Sequence, residues 1–321
     1  MKKLTINEIA EMVGVSKTTI SFYLNGKTNK MSDETQKKIQ QVIEETGYTP
    51  SAATRTVKAS DDCIGVILGD VSKPFAAKAL KGIEEEAHEA GYQVIVGNNE
   101  MSFAKEKEYV EHMLKMGVSG FIIQATYRFG ILAMELEKKN KKIIYLDIPP
   151  YDSQGVRVLG DNYQCVYDAI SQCIERGYDQ LLVVSDANES EYTGMDNLRG
   201  FKDAANDAGV SFKTYFIEAE TTREEIHDYL EQNISEYKKT LVYASDVEAL
   251  RKVYLGIKLF PDFQSLFPER LGLIGFDVTG WTKIAVPEIS AIMIPAYQEG
   301  QIASRKLIEM IESKNSISNK K

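Results

Sequence analysis

The chain has 321 residues, 43% of them hydrophobic and 26% charged, with a net charge of -9. That length holds two or three domains, and that balance excludes a fibre or a disordered polymer. The acidic total argues against a nucleic-acid partner until the charge is divided: residues 1–60 carry nine Lys/Arg against six Asp/Glu, leaving 29 against 41 in 61–321. A basic head on an acidic body lets the head approach phosphates while the body resists indiscriminate adhesion. Cys63, Cys165 and Cys173 are odd in number and have no metal-ligand spacing, which fits inert thiols in a reducing compartment. The amino terminus has no apolar signal core and no run is long enough to span a bilayer, so a cytoplasmic protein without a membrane partner is expected.

In chain order, Thr5 with Glu8 three residues on forms a capping box. Ile6, Ile9, Ala10 and Val13 then recur at helical spacing, and Gly14 stands where a tight turn needs positive φ. Ser16 is a good N-cap for a second short helix. Small Ala10, Gly14 and apolar Ile20 have the spacing of a helix-turn-helix, in which two short helices cross closely. With Ile20 and Leu24 assigned to the core, Lys17, Thr18, Ser21 and Phe22 are left for base edges. Thr19, Asn25, Lys27 and Tyr48 are better placed for phosphates, and Thr5, Ser16 and Arg55 complete the DNA-facing set. A third helix opens at Ser32 with Asp33 and Glu34 in its first turn, turns Ile39, Val42 and Ile43 inward, and stops at Gly47. Residues 1–50 thus form a DNA-binding head; the same three helices would also serve as a protein-docking bundle. Residues 51–58, following Pro50, read as a hinge helix that orders on DNA or as a plain linker, with the segment ending near residue 60.

From Ile64 to the end, short apolar runs alternate with amphipathic helical stretches. Strands are expected at 64–68, 93–96, 120–124, 142–146, 181–185, 214–218, 240–244 and 271–276, with helices between them. This alternation means α/β architecture with doubly wound parallel sheets, and roughly nine strands divide best into two lobes. A ligand cleft then lies beyond the strands' carboxyl ends, where Asp70, Asp147, Asp161-Asn162, Ser245-Asp246 and Asp277 fall. Any one of these is an ordinary turn or cap residue; together with Phe75 and Arg199 they outline a polyol pocket. Asn25-Gly26-Lys27-Thr28 imitates a phosphate loop but has Ser21 where that loop needs Gly. His88, His112 and His227 lack ligand-spaced partners, and no nucleophile motif occurs, so no metal, cofactor or enzymatic activity is expected.

Residues 1–60 resemble the amino-terminal domain of the lactose/galactose repressor family. Ile64–Asp70 followed by Pro74-Phe75, Leu198-Arg199-Gly200-Phe201 and Gly275-Phe276-Asp277 resemble its effector domain, itself similar to periplasmic sugar-binding proteins. The resemblance implies a homodimeric transcriptional repressor that binds double-stranded operator DNA under control of a small sugar or sugar-acid effector. It implies effector contacts at Phe75, Asp161, Asn162, Arg199, Asp246, Asp277 and Trp281, in a domain spanning 61–321. It also implies that Val57, where the family usually has Leu, wedges into the minor groove. Thr54 replaces the usual Ala, and Phe22 replaces an Arg that would read guanine. Ala76 stands where a second aromatic is common, and the polar tail 315–321 stands where the family has one more strand. Phe22-Tyr23-Leu24-Asn25-Gly26-Lys27 and Gly120-Phe121-Ile122-Ile123-Gln124 look most like regulators of hexuronate and ketodeoxygluconate use, with Arg199 as a carboxylate partner. No leucine heptad tail is present, so a dimer is the default. A cytoplasmic sugar-binding or sugar-processing protein with a docking head is the competing expectation.

Overall fold

A computed structural model describes residues 4–24, 28–46, 48, 63–147, 155–186 and 194–318. The chain divides into two units, Met1–Ser60 and Asp61–Lys321.

In the first unit, helix α1 (Ile6–Val13) starts from a reciprocal cap: the Glu8 N–H donates to Thr5 Oγ1 at 3.3 Å and the Thr5 N–H donates to Glu8 Oε2 at 2.6 Å. Gly14, at φ 80°, ends it, and the Val15 N–H turns back to the Ala10 carbonyl at 3.0 Å. Helix α2 (Lys17–Leu24) begins where the Thr19 N–H finds Ser16 Oγ at 3.1 Å. A single 3-10 turn, Thr28–Lys30, leads to α3 (Asp33–Thr46), capped by Ser32. Ile9, Ile20 and Ile39, one from each helix, are fully buried and meet Ile6, Ala10 and Tyr48. Each such isoleucine contributes roughly 1.5–3 kcal/mol, so three short helices that are marginal alone become stable together.

The second unit contains two five-stranded sheets in which every pairing is parallel. Lobe 1 runs β1 (Cys63–Leu68), α4 (Pro74–Glu89), β2 (Gln93–Asn98), α5 (Phe103–Met116), β3 (Gly120–Ile123), α6 (Gly130–Lys138), β4 (Lys142–Leu146) and β5 (Val156–Val158), in spatial order β2-β1-β3-β4-β5. Lobe 2 runs α7 (Asn162–Glu175), β6 (Gln180–Asp186), α8 (Gly194–Asp207), β7 (Phe212–Ile217), α9 (Arg223–Asn233), β8 (Thr240–Ala244), α10 (Val247–Ile257), α11 (Phe263–Leu266), β9 (Leu271–Asp277) and β10 (Ser290–Met293), in order β10-β9-β8-β6-β7. The chain then returns to lobe 1 through α12 (Ala296–Ser318).

Alternate residues of the central strands feed opposite faces, which is why those strands are apolar throughout. Ile64, Val66 and Leu68 pack with Ile83 of α4 and Leu307 of α12, while Ile67 packs on the other face with Met113, Phe129 and Leu136. Lobe 2 repeats the device, with Leu182 and Val184 against α9 and α10 and Leu181 and Val183 against Val166, Ile170 and Phe201.

Where the sequence shows roughly nine strands, ten are described. Eight of them are the strands expected; the other two are edge strands of three and four residues, β5 in the apolar stretch 156–159 and β10. Helices α4 and α12 cross so closely that a Cβ on Gly82 would stand 2.1 Å from the Tyr297 carbonyl and one on Gly300 2.0 Å from that of Ala79. Among the described residues, no helix is long and apolar enough to cross a membrane.

Candidate functional site

In the head, packing of Ile20 into the core fixes which side of α2 faces outward. Lys17 and Thr18 are exposed, and Ser21 and Phe22 are half-buried on the same short helix. Lys30 sits with its Nζ 5.0 Å from the centre of the Phe22 ring, placing a positive charge beside that aromatic face. Thr5 is committed to its capping box, and the Ser16 and Thr19 hydroxyls lie 2.9 Å apart. Tyr48, expected at a phosphate, is 7% exposed and belongs to the head's core, and burial pushes its hydroxyl pKa up. Its ring therefore packs the bundle. Asn25, Lys27, Arg55, Val57 and the hinge segment lie outside the described residues.

In lobe 1 the strand order makes β1 and β3 neighbours at the point where the windings diverge, the usual mouth of such sheets. Gln124, just past β3, ties three strand ends together. Its Oε1 accepts from the Gly69 N–H at 3.0 Å and its Nε2 donates to Asp147 Oδ2 at 3.2 Å. Beneath it the fully buried Asn99 donates to the Gln124 carbonyl at 3.2 Å, while Glu106 accepts from the Thr126 N–H at 2.8 Å. Asp147, past β4, holds a left-handed φ of 63°. Burial of its carboxyl pushes the pKa up to about 6 against the Gln124 hydrogen bond. Glu299, in the first turn of α12, is pushed up to about 7 by burial and then by the Asp147 charge. Phe75 is half-buried at the start of α4 against the lobe 1 core, and the neighbouring Ala76 is inside that core.

In lobe 2, Asp161 caps α7 by accepting from the Gln164 N–H at 3.2 Å, which sets Asn162 at the helix's first position. Asp246 caps α10 by accepting from the Glu248 and Ala249 N–H groups at 2.7 and 2.8 Å. Burial raises its pKa against those two bonds, with a further push from the charge of Asp186. Arg199 is exposed, lies 3.2 Å from Asp196 and stacks 4.6 Å from the centre of the Tyr163 ring. Trp281 packs tilted against Tyr254 with ring centres 5.5 Å apart.

Asp277, expected at the ligand, spends both oxygens on its own loop. Oδ1 accepts from the Thr279 N–H (2.8 Å), Thr279 Oγ1 (3.2 Å) and the Gly280 N–H (3.1 Å), and Oδ2 accepts from the Thr282 N–H (3.1 Å) and Thr282 Oγ1 (2.7 Å). Burial works against ionisation, but these donors outweigh it and hold the pKa below the usual range. These bonds shape the loop that carries Trp281. The two lobes meet where Lys78 of α4 donates to the Val278 carbonyl at 2.5 Å. A separate open groove of about 300 Å³ around Lys142, Tyr145, Gly155 and Met310 lies towards the amino end of β4, away from the strand-end acids.

Neither Gln124, quoted only as the end of a strand motif, nor Glu299 is among the site residues expected from the sequence. Gln124 had a readable signal, a polar residue closing an apolar strand; Glu299 had none, since an acid in a helix's first turn is commonplace.

Residues 5–51 match the family described as "Bacterial regulatory proteins, lacI family", and residues 61–319 match "Periplasmic binding proteins and sugar binding domain of LacI family". The chain is similar to the HTH-type transcriptional regulator KdgR of Bacillus subtilis (strain 168), at 26% identity over 96% of this chain and 91% of the relative. It is similar to Catabolite control protein A of Priestia megaterium, at 27% identity over 95% of this chain and 91% of the relative. The crystal structure of the lac repressor dimer bound to operator and the anti-inducer ONPF shares the fold, with a TM-score of 0.68 at 17% identity over 97% of this chain and 94% of that one. A helix-turn-helix head, a two-lobed α/β body and a match over nearly the whole length lead to one assignment: the chain belongs to the LacI family of bacterial regulatory proteins.

Proposed function

We propose that this protein is a sequence-specific repressor of carbohydrate-metabolism genes, acting as a homodimer in the cytoplasm and released or engaged by a small polyol effector. The observation that carries this reading is the α2 face, where Lys17, Thr18, Ser21 and Phe22 stand on a helix held by a capped, closely crossed partner. Each head reads one half-site in the major groove, so two-fold symmetry makes the operator near-palindromic. The segment 51–58 serves as the hinge, with Val57 as its wedge and Arg55, Asn25 and Lys27 on the backbone. The domains run 1–50, 51–60 and 61–321. Effector contacts are proposed at Phe75, Asp161, Asn162, Asp246 and Trp281. Regulation requires that the effector bind the two arrangements of the body with different affinity.

The comparison structure of lac repressor holds a dimer on operator, and the fold it shares with this chain supports the same use of the head here. Arg199 was expected to receive an effector carboxylate; its pairing with Asp196 and Tyr163 weighs against a sugar acid. No catalytic role is proposed. In a randomised-site selection the protein enriches a near-palindromic duplex, and binding to it weakens steeply with salt. Lys17→Ala weakens that binding, and Phe22→Arg changes the preferred bases. Absence of salt-dependent duplex binding, or turnover of a sugar by the purified protein, would overturn the reading.

A further inference from the structure

Asp147 and Glu299 reach one place from distant parts of the chain, the first past the end of β4 and the second where α12 re-enters lobe 1. Glu299 directly precedes Gly300, where the backbone of α12 lies close against α4. Glu299 is 6% exposed, and its Oε2 has no hydrogen-bond partner among the described residues. Asp147 receives the Gln124 amide and has Glu299 as its charged neighbour. A buried carboxylate without a counter-charge costs several kcal/mol, and two together repel.

Among the described residues no cation acts on Asp147 or Glu299, while Lys73, at the start of α4, acts on Asp70 and Glu248 instead. Asp70, Asp161 and Asp246 stand at neighbouring strand and helix ends. Lys78 is committed to the Val278 carbonyl and Arg199 to Asp196. Gly160, on the crossover into lobe 2, faces the same spot: a Cβ there would stand 3.1 Å from Asn162 Oδ1 and 3.5 Å from Glu299 Oε1. The missing side chain leaves open a space edged by acceptors.

We propose that the effector is an amino sugar or comparable amino polyol whose protonated amine seats among Asp147, Glu299 and Asn162, and this rests on reading the cleft as the effector site. An ammonium offers three donors and no acceptor, which matches two carboxylates and an amide oxygen. A sugar acid would bring a third negative charge to the pair, and a neutral sugar would leave the charge uncompensated.

The test is a thermal-shift screen on the full chain at neutral pH with glucosamine, galactosamine and mannosamine. Glucose, galactose and mannose, glucuronate and galacturonate, and MgCl2 or CaCl2 alone form separate arms. At least one amino sugar raises Tm, the parent sugars and uronates do not, and E299Q and D147N each weaken the binding at least tenfold, checked by calorimetry. If one variant fails to fold, the other carries the comparison. A neutral sugar or uronate that binds as tightly, a shift produced by a divalent cation alone, undiminished binding in the folded variants, or no shift with any amine would overturn the proposal. These readouts need no DNA: amine binding that leaves the operator complex unchanged supports the ligand class and overturns only the regulatory reading.

Discussion

Asp277 and Glu299 are both buried acids in the ligand-binding body, one after β9 of lobe 2 and the other opening α12 on lobe 1. Asp277 gathers donors from Thr279, Gly280 and Thr282 and is held ionised below the usual range, whereas Glu299 has an orphaned oxygen and is pushed up to about 7. Burial alone therefore says nothing about what an acid does. One carboxylate is the hub of a loop, satisfied by neighbours within five residues. The other is left over by the protein's own hydrogen bonding, which is the condition expected of a group waiting for a partner from outside.

The sharpest break of this contrast is Asp277→Ala. It strands the donors of three residues in a buried loop, and a loss of about 3–5 kcal/mol in denaturant unfolding is expected. Glu299→Gln removes a charge with nothing to balance it, so no loss, and at pH 8 a gain, is expected from the same measurement. Equal losses in both variants would erase the distinction.

The second expectation concerns pH, where the two acids act with opposite sign. Raised carboxyl pKa values at Asp147 and Glu299 mean that the folded state binds more protons than the unfolded state between about pH 4 and 7. Stability falls as pH rises through that window, by on the order of 3 kcal/mol for each acid, and levels off above it. Asp277, with a depressed pKa, contributes stability at neutral pH that is lost only as the pH drops below the ordinary carboxylate range. Tm measured from pH 4 to 8 falls in the wild type and flattens in Glu299→Gln; an unchanged slope would remove Glu299 as its source.

Smaller still is Gln124→Leu, which takes one acceptor from the Gly69 N–H and one donor from Asp147. A loss of about 1–3 kcal/mol is expected, with the Asp147 titration moving further up because its one hydrogen-bonding aid is gone. The least disruptive change is Gly160→Ala. Its Cβ meets Asn162 Oδ1 at 3.1 Å, a contact that small shifts relieve, so unfolding changes by under about 1 kcal/mol while binding at the acid pair weakens. Unaltered binding would place the ligand elsewhere in the cleft.

Much of this was legible in the residues themselves. The Thr5–Glu8 box, the Gly14 turn and the Ser16 cap are local, and they lie where the spacing puts them because caps and turns are decided within a few residues. The central strands were equally plain, since burial on both faces writes a continuous apolar run. The edge strands β5 and β10 were less so, because a strand of three or four residues is too short for its apolar residues to be told from a turn or a loop.

The site divides along the same line. Sequence order alone placed Asp161 and Asp246 at strand and helix ends, and both are found there as caps. It could not tell that Asp277 would be consumed by its own loop, that Tyr48 would turn into the head's core, or that Glu299 would come to rest beside Asp147. Periodicity and capping act over three or four neighbours and so survive in the one-dimensional chain. Whether a buried acid is satisfied depends on which distant donors the crossing of α4 and α12 and the winding of two sheets bring to it, and only the folded chain decides that.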